Sequence, residues 1–153
     1  MPNPPGGMRN SNHQQDVTRL FHCQSSPLTG HKYADIMPQA RRMFRIIQKH
    51  TKRRPYVRSA YFKKDKIFFD YFWIHLNQKH AHDRARRLRF FPCAIELLRN
   101  SRQAPKTFFE AYDKDSIRHQ FIGVTNDGTT FSVVVKQDRS SGKKQLLSVF
   151  PMG

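Results

Sequence analysis

The chain has 153 residues, with 28 Lys and Arg against 11 Asp and Glu, a formal net charge of +17 at pH 7. Like charge at this density opposes compaction and points to a polyanionic partner, nucleic acid before a membrane surface or a merely solvated basic face. No apolar run approaches the roughly 20 residues of a transmembrane helix, which excludes a helical membrane span.

Residues 1–30 are rich in Pro, Gly, Asn, Gln and Ser and are expected to form a disordered tail, since they bury too little to repay their ordering entropy. Residues 31–52 read as a basic helix and linker. Ala40, Met43, Phe44 and Ile47 recur at helical spacing from His31 to Lys49, with Pro38 starting the regular part. The run Lys52-Arg53-Arg54 and then Pro55 ends it, and residues 53–153 read as a single folded domain.

Tyr56 to Phe62 suits a short strand or an extended arm. The apolar run from Ile67 to Leu76 predicts a buried helix over 65–78, with Lys66 and Asp70 as an i, i+4 pair. A buried strand is the alternative, because aromatic residues also favour strands. Asp83 suits the cap of a further helix running to Asn100, with Leu88, Phe91, Ile95 and Leu98 as its stripe and a kink or restart at Pro92. Arg84, Arg86, Arg87 and Arg89 on it make either a solvated face or a set of RNA phosphate contacts. Ser101 to Ser116 reads as a loop.

The end of the chain differs in kind. Residues 118–125, 129–137 and 145–150 have strand patterns, separated by the turns Asn126-Asp127-Gly128 and Ser140-Ser141-Gly142. The expected fold is α+β: N-terminal helices packed on a C-terminal antiparallel sheet of three to four strands, a meander. Cys23 lies in a polar stretch and Cys93 in a helical pattern, so a structural disulfide is not expected. Neither end reads as a signal peptide, and the expected location is the cytoplasm.

Strand alternation then nominates a site. With Ile122 and Val124 facing the helices, and Leu147 and Val149 doing so in the last strand, His119, Phe121, Lys136 and Ser148 share the opposite, open face. Arg118 reaches around the rim. A register with Phe121 inward is nearly as good and turns His119 toward the helices. The residue types of the open face suit metal-independent RNA cleavage. His119 exchanges protons, Lys136 and Arg118 hold phosphate, Ser148 donates to a non-bridging oxygen and Phe121 stacks on a base. His75, His80 and His82 lack a recognisable zinc spacing and read as solvated or core residues, and no cofactor or metal is expected.

The pattern His119-x-Phe121-x-Gly123, then Gly128-x-x-Phe131-x-Val133-x-Val135-Lys136, then Ser148-x-Phe150-Pro151 resembles the barnase–EndoU–colicin–RelE superfamily of small RNase toxins. The likeness covers residues 54–151 and is strongest to branches carried by phages and conjugative elements. It implies an RNase-toxin-like domain over residues 53–153 that cleaves RNA, such as tRNA or mRNA, through 2′-OH attack to a 2′,3′-cyclic phosphate. It also implies a basic residue from the early helical region, Arg58 or Lys63, joining those of the sheet, and an acidic antitoxin or immunity protein as partner. No second catalytic histidine stands on the sheet, which leaves the general acid open. The rival reading is a non-catalytic nucleic-acid-binding accessory protein of a mobile element.

Overall fold

The computed structural model describes residues 20–153. Seven strands form one curled mixed sheet: β1 (Phe21–His22), β2 (Tyr56–Arg58), β3 (Lys66–Phe68), β4 (Lys106–Glu110), β5 (Asp113–Val124), β6 (Thr130–Asp138) and β7 (Lys144–Pro151). The path runs β1-β5-β6-β7-β3-β2, and β4 shares the outer edge of β5 with β1. Four helices accompany it: α1 (Tyr33–Lys49), α2 (Asp70–Asn77), α3 (Ala81–Leu88) and α4 (Phe91–Asn100).

This overturns the expected C-terminal antiparallel meander. β5, β6 and β7 do pair antiparallel across the two Gly turns, but β1 joins β5 in parallel and β3 joins β7 in parallel. Strands from the first half of the chain thus complete the sheet on both sides. Nor does the long N-terminal helix lie on it: α1 packs chiefly on α3, with lesser contacts to α4 and the edge strand β2.

Three local expectations change with it. The aromatic run is not one helix over 65–78 but strand β3 followed at once by α2, with the buried Phe69 between them. β-Propensity wins at Lys66–Phe68 because an open sheet edge is there to pair with, so Lys66 and Asp70 never meet as a helical pair. Lys66 instead lies over the Tyr56 ring at 4.7 Å, and Asp70 pairs with Arg54 at 3.4 Å. The 83–100 helix is two helices, with Pro92 in the first turn of α4, where its missing N–H costs nothing. Asp83 sits in the first turn of α3 rather than at its cap. The loop expected at 101–116 contains β4 and the start of β5, a hairpin whose first strand is short and largely exposed.

The tail expected over residues 1–30 is placed from residue 20 onward, and the rest lies outside the described residues. Phe21 and His22 pair with Gly123 and Val124, and Cys23 is buried. Its thiol donates to the Cys93 carbonyl at 3.6 Å, and the Cys93 thiol donates to the Ser25 carbonyl at 3.5 Å. Both cysteines are free thiols in one patch, distant only in sequence. Glu96 accepts from the Gln24 and Ser25 amides and closes the arm down. Ile36, Ala40 and Ile47 of α1 enter the same core as Val133, Val135 and Leu146 of the sheet.

That core is aromatic, and large rings offset a hydrophobic fraction of only 37%. Phe69, Phe72, Phe91 and Phe131 are fully buried, with Leu88, Leu97, Leu98, Val133 and Val135 around them. Each such side chain contributes about 1.5–3 kcal/mol on burial, so a small set of residues sustains the fold. Gly123 is required by packing: a Cβ there would stand 2.5 Å from the ring of Phe131, its cross-strand partner. Among the described residues no helix is long and apolar enough to cross a membrane.

Candidate functional site

Register decides which side chains can meet. His119 pairs with Val135 and Phe121 with Val133, so both share the face of those buried valines. The nearly equal register, with Phe121 inward, is the one adopted. Phe121 packs edge-on against Tyr61 and Phe62, and no base can stack on it. His119 is a satisfied core histidine: Nδ1 is bonded to the Thr107 hydroxyl at 2.9 Å and Nε2 to the Gln137 carboxamide at 2.8 Å. Burial, with Lys144 nearby, holds its pKa below the usual imidazole value, against the opposing pull of Gln137.

The other face of the sheet carries the remaining candidates. Arg118 and Lys136 are direct cross-strand partners, and Ser148 stands opposite Val134 on β7. A bulge at Leu147 lets Leu146 and Val149 both face the core while Leu147, Ser148 and Phe150 face out, which corrects the expected inward pair Leu147 and Val149. Helix α2 walls this face. Phe72 and Leu76 point into the core, and Tyr71, Ile74, His75 and Gln78 fall at helical spacing on the side that lines a groove of about 530 Å³. The hairpin β4–β5 forms the opposite wall with Phe108, Glu110 and Tyr112.

The electrostatics of this groove are specific. One oxygen of Asp113 lies 3.2 Å from Arg118 Nη2 and 3.2 Å from Lys136 Nζ. A hydrogen bond from Ser116, together with Lys136 and Arg118, holds the Asp113 carboxyl down to about 2. Two cations therefore share one carboxylate. The Lys136 ammonium lies over the Tyr71 ring at 4.7 Å and the Arg118 guanidinium over the Tyr112 ring at 5.8 Å. Arg118 Nε is buried and has no hydrogen-bond partner. A buried charged donor left open is costly, and an acceptor from a ligand would satisfy it. Across the groove, His75 has its pKa lowered by burial first, then by Lys79, Arg87 and Arg118.

Of the residues expected to form a site, the structure brings together Arg118, Lys136 and Ser148. His119 and Phe121 are turned into the core, and Arg58 and Lys63 line a different depression. The arginine cluster of α3 is engaged within the chain. Arg84 donates to the Lys79 carbonyl and stacks on Tyr33, Arg86 and Arg87 pair with Asp83, and Arg89 donates to the Leu28 carbonyl. Arg84 and Arg89 tie α1 and the N-terminal arm to the body, whereas Arg86 and Arg87 are held within their own helix; Arg87 also borders the groove, over the Phe150 ring at 5.4 Å. His75 and Tyr71 are the residues sequence reading passed over. Their signal is their spacing with Gln78 on one helix face, already present in a helix over 65–78. No protein-family model, curated protein or solved structure matches the chain.

Proposed function

We propose that the chain is a metal-independent endoribonuclease of the RNase-toxin kind, acting in the groove between α2 and the open face of β5, β6 and β7. The observation that carries this reading is the pair Arg118 and Lys136, cross-strand neighbours on one carboxylate, with Arg118 Nε buried and without a hydrogen-bond partner. Such a pair suits the non-bridging oxygens of a phosphodiester, and the Arg fork binds them with two parallel donors.

The chemistry follows from the groove's side chains. His75, whose pKa is lowered by burial and by the cations around it, takes the proton of the ribose 2′-OH. The 2′-oxygen attacks phosphorus and the bond to the 5′-oxygen breaks, leaving a 2′,3′-cyclic phosphate. Arg118 and Lys136 stabilise the charge that develops on the phosphorane, and Ser148 adds a neutral hydrogen bond. Tyr71, beside the Lys136 ammonium, gives its proton to the leaving 5′-oxygen and recovers one from His75. Tyr112 and Phe150 offer faces to neighbouring bases.

The resemblance to the RNase toxins and the charge of +17 support the same reading and make an acidic protein the natural inhibitor. The test is incubation of the purified chain and its His75→Ala variant with total RNA. Cleavage by the wild type and its loss in the variant are expected; RNA binding by both without cleavage would leave the accessory-protein reading.

A further inference from the structure

A second depression, of about 980 Å³, shares no lining residue with the groove above. It lies where the C-terminal ends of α1 and α4 meet β2 and the turn that follows. Arg58, Lys63, Lys64, Arg99 and Arg102 line it with His50, all exposed, and no carboxylate is among its lining residues. Cations at helix C-termini complement the helix dipole, which accounts for Arg99 and Arg102 as structural choices. It does not account for the lysines. Lys63 and Lys64 are consecutive residues in the left-handed region, with φ of 55° and 72°. Asn or Gly would adopt that backbone with less strain. The turn is nevertheless held firmly. Buried Ser59 accepts from Phe62 N at its hydroxyl and from Lys64 N at its carbonyl, at 3.0 and 2.7 Å, and Arg58 Nη1 donates to the Lys64 carbonyl at 2.9 Å. A strained turn built to carry two ammonium groups, with three arginines around it, points to a use for the charge.

We infer that this depression is a second contact for the phosphate backbone of RNA, separate from the catalytic groove and reached by a strand that spans both. The inference rests on the proposed function for the identity of the polyanion. Between the two lies a surface lined first by Lys66, Lys143 and Asp65 and then by the exposed Asp115 and Asp138. Those carboxylates repel phosphates, so the two basic sites act as two footholds and not as one continuous channel. The substrate class is accordingly RNA long or folded enough to engage both; a short oligonucleotide engages one.

The test measures binding of the full chain to a labelled single-stranded RNA of about 16 nucleotides and to one of about 4, across a salt series. The variant is K64N/R99Q/R102Q, in which Asn suits the left-handed backbone at residue 64, and its melting curve verifies the fold. For the long RNA the variant is expected to bind about tenfold or more weakly, with a log–log salt slope shallower by about 2, since each single-strand phosphate contact contributes ~0.7. A wild-type slope that is the same for both lengths overturns the inference, as does a folded variant whose slope and affinity for the long RNA equal those of the wild type. In the latter case the depression is left to another anion, such as an acidic protein. Cleavage of the same RNA by the wild type is scored separately. Its absence, alongside the predicted loss of slope, removes the catalytic reading and leaves the second RNA contact standing.

Discussion

Arg118 and Lys136 face each other across β5 and β6, and both reach the same oxygen of Asp113, each at 3.2 Å. Sharing one counter-ion fixes two flexible cations at little loss of net positive charge. It also leaves the guanidinium with donors to spare. Removing either donor should act mainly on the transition state, where phosphorane charge is greatest. Arg118→Ala and Lys136→Ala are each expected to lower kcat/KM by about 10²–10³-fold. Arg118→Lys should not restore activity, because an ammonium cannot supply two parallel donors. Single-turnover cleavage of one defined RNA measures this, and a wild-type rate in Arg118→Ala contradicts the assignment.

His75 is the group assigned to proton transfer, and its lowered pKa gives a signed expectation. The rate should rise with pH and level off, with the midpoint of the acid limb below 6.5, since the neutral imidazole is the active form. His75→Ala should lose about 10²–10⁴-fold and should lose that limb from the profile. A limb centred at or above 6.5 argues against His75 as the base. His119→Gln, on the core side of the sheet, should cleave within a few-fold of wild type.

How the sequence encodes this arrangement explains which parts of it were legible. The turns at Gly128 and Gly142 and the three strands around them follow from local chemistry, since both glycines have the positive φ their turns require. The short strands do not, because β1, β2 and β3 are two or three residues long and exist only through their partners. Register was the decisive ambiguity. Phe121 and Ile122 are both good core residues, and one step between them moves His119 from the open face to the core. Arg118 changes face by the same step, which brought it beside Lys136. Composition cannot distinguish a cation awaiting phosphate from one already holding a carbonyl, as Arg84 of α3 and Arg89 just after it do.

His119 should reveal itself in stability. Its folded pKa is depressed by burial, so the unfolded chain binds the extra proton more readily. Stability is therefore full above about pH 6.5, the unfolded value, and is lost as pH falls from there toward the folded pKa. Chemical denaturation from pH 7.5 to 5 should show this decline, and His119→Gln should flatten it. A decline that is equally steep in the variant shows that another group is responsible.

Gly123→Ala is expected to destabilise the fold by about 1–3 kcal/mol, since the added methyl meets the Phe131 ring at 2.5 Å and Leu97 at 3.0 Å behind it. Denaturant midpoints of the two proteins test the value. A neutral substitution would mean that the sheet and α4 are packed less tightly here than described.

Metal-independent cleavage of RNA in the Arg118–Lys136 groove is the central expectation. Purified chain incubated with RNA in excess EDTA, followed by analysis of the fragment ends, addresses that most directly. The expected result is fragments ending in 2′,3′-cyclic phosphate, formed by the wild type and absent with Lys136→Ala. Intact RNA, or fragments with 5′-phosphate ends that form equally well with Lys136→Ala, would contradict it.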